Sequence, residues 1–121
     1  MKAAYGDPLT ALDYLNLAIR NYHDSGNVLV MCVPLSVLAM FLQKMGRAEP
    51  AATIAGYAVN PHTAAWLPEI GSGVAHLRGV LGDQTYQSLA RKGETMTTAA
   101  MANYAYDQID QARAELNAVS K

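Results

Sequence analysis

The segment VLVMCVPLSVLAMFL, residues 28–42, is fifteen residues long and only Ser36 in it is polar. A run of that length falls short of the roughly 18 to 20 apolar residues needed to cross a bilayer, so it reads as a helix buried on nearly every side. Continued to Lys44, Met45 and Gly46, it gains a cation in its last turn and a glycine stop, both favoured at a helix C-terminus. Pro34 removes one hydrogen bond and crowds the preceding turn. It predicts either a kink or a helix that starts only after Val33, and the kink is the reading adopted.

Upstream, Asp7 directly before Pro8 pairs an N-cap residue with a proline at the first helical position, where the missing N–H costs nothing. Leu9, Leu12, Leu15, Ile19 and Tyr22 then recur every three or four residues, and Thr10, Asp13, Asn16 and Arg20 follow the opposite face. Gly26 closes this first helix. Downstream, Glu49-Pro50 opens a short third helix to about Val59, whose Ala51, Ala52, Ala55, Gly56 and Ala58 let a neighbour approach closely. Asn60-Pro61-His62 stops it, and the stretch to Pro68 reads as loop with Trp66 and Leu67 as an apolar anchor.

A fourth helix from about Glu69 to Leu81 aligns Ile70, Val74, Leu77 and Leu81, with Gly82 as its end. Asp83 caps a brief fifth helix that turns Tyr86, Leu89 and Ala90 inward and stops at Gly93. Thr97 caps a long sixth helix to about Ala118, with Met101, Ala105, Ile109, Ala112 and Leu116 as its buried stripe. No segment reads as a strand. The expected fold is all-α, about six antiparallel helices in a single domain over residues 1–121.

Composition agrees with that palette: 51% of residues are hydrophobic but only 7% are aromatic, so the core must be built from Ala, Leu, Val and Met. The net charge is -1 and the basic residues are scattered from Lys2 to Lys121, which excludes a phosphate-binding stripe and direct nucleic-acid binding. Arg91-Lys92 precedes Gly93, where cations favour the negative end of a helix dipole. Cys32 is the sole cysteine, so no intrachain disulfide can form and a reducing compartment is expected. Asp7 and Pro8 interrupt any secretory leader. The expected location is cytoplasmic, without a membrane anchor.

Leu35, Leu38, Ala39, Leu42, Gly46, Ala51, Ala55 and Ala58 reproduce the large and small positions of one tetratricopeptide unit of about 34 residues. Gly6 and Ala11 repeat the spacing of Gly46 and Ala51, and glycines 6, 46 and 82 mark periods of 40 and 36. Gln87 stands where the repeat would have alanine. The order of segments, from Ser25-Gly26-Asn27 through Met45-Gly46, the alanine-rich helix, Leu81-Gly82-Asp83, Gly93 and a last alanine-rich helix, resembles a more specific region. It is similar to the terminal part of the tetratricopeptide-like helical-repeat region in large actinobacterial LuxR-type or cyclase-associated regulators driven by a STAND signalling ATPase. The resemblance implies a relay or interaction role for the domain. The chain lacks the nucleotide-binding module and the helix-turn-helix of those regulators, so it implies neither ATPase nor DNA-binding activity here.

Motifs for chemistry are thin. Gly71-Ser72-Gly73 begins like a dinucleotide loop, but His76 fills the third glycine position and no strand precedes it. Gly73 and Gly79 are one residue too far apart for a phosphate loop, with Val80 in place of the lysine. His23, His62 and His76 lack second ligands at helical spacing. Asp107 and Asp110 read as a solvated face near Arg113. No catalytic residue, metal or cofactor is expected.

Tyrosine suits a surface that is half buried and half available to a partner. Trp66, Leu67, Tyr57 and Tyr106 are therefore the candidate interaction surface. Tyr104 and Tyr106 stand two residues apart on one helix, about 200° around it, which predicts Tyr104 inward and Tyr106 exposed. The resulting expectation is a non-catalytic interaction or relay domain, self-associating as a homodimer because its second helix has more apolar surface than one core absorbs. The alternative is a small-ligand sensor with the Trp66 loop over an apolar pocket.

Overall fold

The computed structural model describes residues 8–60, 63, 65 and 68–119. Among these residues there are six helices and no strand, as the periodicity predicts: α1 Pro8–Asp24, α2 Val28–Lys44, α3 Ala48–Ala58, α4 Glu69–Leu81, α5 Asp83–Glu94 and α6 Thr98–Val119. Asp7, the expected cap of α1, lies outside the described residues.

The turns after α1 and α2 are built alike. Gly26 and Gly46 adopt φ of +75° and +85°, the left-handed conformation that a Cβ disfavours. A Cβ would meet nothing within 4 Å at either site, so the backbone angle, not space, demands glycine. In each turn two amides fold back on the last helical carbonyls. The Asn27 N–H donates to the Tyr22 carbonyl at 2.8 Å and the Arg47 N–H to the Leu42 carbonyl at 2.9 Å, with the glycine N–H bonding one residue inside each time.

α2 runs unbroken through Pro34, which removes the alternative of a start after Val33. It is the central helix: Met31, Leu35, Leu38, Ala39 and Leu42 are fully buried, and it packs against α1, α3, α4 and α6. Each such leucine is worth roughly 1.5–3 kcal/mol of burial, which offsets the hydrogen bond that Pro34 forfeits.

α3 packs most extensively against α5. A Cβ at Gly56 would collide with the Ala90 backbone, and one at Gly93 with the Thr53 carbonyl. As the chain advances from Thr53 to Gly56, its partner retreats from Gly93 to Ala90, so the two helices cross antiparallel with their backbones in contact. Ala51, Ala52, Ile54, Ala55 and Ala58 are buried along α3, where small side chains permit that approach.

α6 returns to α1, an arrangement that a plain outward stack of helix pairs does not predict. Arg113 bonds Asp13 at 2.6 Å, and Arg20 lies 4.3 Å from the centre of the Tyr106 ring. Seven residues forward on α1 correspond to seven back on α6, so this pair is also antiparallel. Thr97 caps α6 as expected, its hydroxyl accepting the Ala100 N–H at 3.1 Å. Asp83 differs from expectation: it is the first residue of α5, with Gly82 in the cap position, and it pairs with Arg78 at 3.4 Å.

The connection after α3 is less plain than a loop. The Asn60 N–H donates to the Thr63 hydroxyl at 2.9 Å, and the Thr63 N–H to the Asn60 side-chain carbonyl at 3.0 Å. This reciprocal pair is a capping box, and Thr63 and Ala65 are helical. Asn60, one residue past the C-cap Val59 of α3, thus opens another helical turn.

Candidate interaction surface

Of the four residues nominated from sequence, Trp66 and Leu67 lie outside the described residues. Tyr57 and Tyr106 are both half-buried and both engaged within the fold. The Tyr57 hydroxyl meets the Thr98 hydroxyl at 2.9 Å, tying the end of α3 to the start of α6. Tyr106 sits beneath Arg20, and its own hydroxyl is buried with no hydrogen-bond partner.

The expectation that Tyr106 would be exposed while Tyr104 faces inward is therefore corrected. Both are half-buried. α6 packs on α1 and also on α3, so opposite sides of the same helix are both covered. Tyr104 turns to Thr53 and Glu49 on α3, Tyr106 to Arg20 and Asp24 on α1. Burial raises both phenols above the ordinary tyrosine value, as it does Tyr86, against which Arg78 stacks and pulls the other way.

A polar clip holds the same helix in place. Arg47, in the turn between α2 and α3, donates to Glu115 and Gln111 on α6 at 2.7 Å each, with Gln108 at 3.5 Å. Its Nε is buried without an acceptor.

The apolar surface that remains lies elsewhere. Tyr14 is 72% exposed and Leu17 56% on α1, and Leu29 is 63% exposed at the start of α2. Val28, Val30 and Val37 are also exposed, with Val33 half-buried between them. Val30, Val33 and Val37 fall at i, i+3 and i+7, one stripe of α2. The turn at Gly26 pairs Tyr22 with Asn27. Counting out from it at about 1.5 Å per residue sets Leu17 level with Cys32, next to Val33, and Tyr14 level with Leu35, between Val33 and Val37. α6 packs against both α1 and α2, and these residues lie on the faces turned away from the core. Val80 on α4 is exposed by itself at 60%.

Sequence reasoning missed this face for a definite reason. The helical reading of α1 assigned its inward and outward stripes but left Tyr14 and Leu17, which fall on the outward side, without a place. An all-apolar α2 predicts leftover surface but not its position, which the structure puts at Val30 and Val37, each 37% exposed.

The interior shows less. Cys32 is buried, and burial raises its thiol above the ordinary value, so it is protonated at neutral pH. Among the described residues no group of three or more His, Cys, Asp or Glu is placed to hold a metal ion. Shallow depressions occur among the described residues. One of about 190 Å³ is lined by Gly56, Arg78, Tyr86, Gln87, Ala90, Arg91 and Glu94. Another, of about 410 Å³, is lined by residues 46–50 and Leu81, between the turn after α2 and the end of α4. No described helix is long and apolar enough to cross a membrane. Comparison with protein-family models, with curated proteins and with solved structures found no match.

Proposed function

We propose that the chain is a non-catalytic recognition domain whose outer α1–α2 face contacts a protein partner, a second copy of itself included. The observation that carries this is the concentration of exposed large apolar residues on one helical hairpin, Tyr14, Leu17, Val28, Leu29, Val30 and Val37, where Val80 is the other one among the described residues. Contiguous apolar surface of this kind is costly in water and marks interaction sites.

The tetratricopeptide-like spacing from Leu35 to Ala58 and the segment order shared with the actinobacterial regulators support a relay role in the cytoplasm. The rival, a small-ligand sensor, needs an apolar pocket, and the depression among α2, α3 and α4 is instead edged by Arg47 and Glu49.

The two readings separate on one preparation. Replacing Tyr14, Leu17 and Leu29 together by serine is expected to leave helical circular dichroism unchanged and to abolish association in light scattering. Emission of Trp66 should stay constant across a panel of common metabolites. A Trp66 shift that saturates with one metabolite, with association unaffected by the triple variant, would favour the sensor.

A further inference from the structure

The recognition reading leaves the occupant of the face open, and the layout of α2 narrows it. From Ser25 to Gln43 there is no charged residue, and the run is bracketed by Asp24 and Lys44, both exposed. Inside it lies the stripe of Val30, Val33 and Val37.

We infer that this face binds a second copy of the chain across a two-fold axis at the level between Val33 and Pro34, with the two α2 helices packed antiparallel. In that register Val30 meets the second copy's Val37, and Lys44 reaches the level of the second copy's Asp24. The two-fold makes each of these contacts twice, so one stripe is its own complement and the bracketing charges pair with opposite sign. The parallel alternative would place Lys44 beside Lys44 and Asp24 beside Asp24.

Size agrees. The six exposed side chains present roughly 400–500 Å² of apolar surface at their observed exposures. A homodimer interface of standard size takes about 800 Å² from each subunit, a little under two thirds of it apolar. Tyr14 and Leu17, which fall at the levels of Leu35 and Cys32 alongside the valine stripe, widen it to that area. The inference rests on the proposal that the α1–α2 face is a recognition surface.

Sedimentation equilibrium of the full chain tests it. The wild type should dimerise, and Val37→Asp should weaken the dimer by at least about 100-fold while leaving helical content intact, since an isolated carboxylate would be buried twice, once on each side of the axis. Asp24→Lys and Lys44→Asp should each weaken it about tenfold, and the double variant should return it to the wild-type constant. A dimer indifferent to Val37→Asp and to both charge reversals overturns this geometry while leaving recognition through another face. A wild-type chain that remains monomeric at about 1 mM overturns the inference together with self-association.

Discussion

α3 beyond Glu49 and the outer stripe of α2 are both uncharged and both repeat at helical spacing, yet they do opposite things. α3 carries Ala51, Ala55, Gly56 and Ala58 and brings its backbone against that of α5 at Gly56–Ala90 and Thr53–Gly93. The outer stripe of α2 carries Val30, Val33 and Val37, whose branched side chains hold any neighbour at a distance and are only partly covered in the single chain. Small residues mark a contact completed within the fold, and branched ones at the surface leave the apolar area on which the proposed recognition rests.

The most severe way to break that contrast is to enlarge the α3–α5 crossing. Gly93→Val puts a branched side chain against the Thr53 carbonyl, where backbone must move, and should cost about 3 kcal/mol or more, read as a collapse of the urea midpoint. Next is the clip that seats α6. Arg47→Met removes the bonds to Glu115 and Gln111 and should lower stability by about 2 kcal/mol, with the loss appearing first as faster amide exchange in α6.

Much of this arrangement could be read from the chain. Helix ends were legible because glycine at 26, 46 and 82 and threonine at 97 act within one turn of themselves. α4 begins and ends at Glu69 and Leu81, where the apolar spacing placed it. What could not be read were contacts between residues far apart in sequence. Nothing local to Arg47 announces Glu115, and nothing local to Tyr106 announces Arg20 above it, because both depend on α6 returning to α1. The packing of the tyrosines is hidden for the same reason: Tyr57 and Tyr106 are partly covered within the fold, while the exposure of Tyr14 and Val37 depends on where the neighbouring helices lie. Residues 66 and 67 lie outside the described residues.

Smaller effects sharpen the comparison from inside α2. The Ser36 hydroxyl is fully buried without a hydrogen-bond partner, so Ser36→Ala should raise stability by about 1 kcal/mol, measured by urea denaturation. It separates the core side of α2, where an apolar change helps, from the outer side, where it changes association instead.

Alkaline titration tests the two sides of α6 together. Burial raises the phenols of Tyr86, Tyr104 and Tyr106 above the ordinary value of 10, so the folded chain holds these protons more tightly than the unfolded one. Their stabilisation is whole below pH 10 and drains as the pH rises through the folded values. Unfolding should begin above pH 10, with tyrosinate absorbance and loss of helix rising together.

The thermal midpoint, followed as a function of protein concentration for the wild type and for Val37→Asp, bears most directly on the claim that the outer α1–α2 face is for recognition. The account predicts that the wild-type midpoint rises with concentration, that the variant's does not, and that the two coincide when dilute. A wild-type midpoint independent of concentration, with Val37→Asp melting several degrees lower at every dilution, would show that Val37 supports the fold of the single chain and would contradict it.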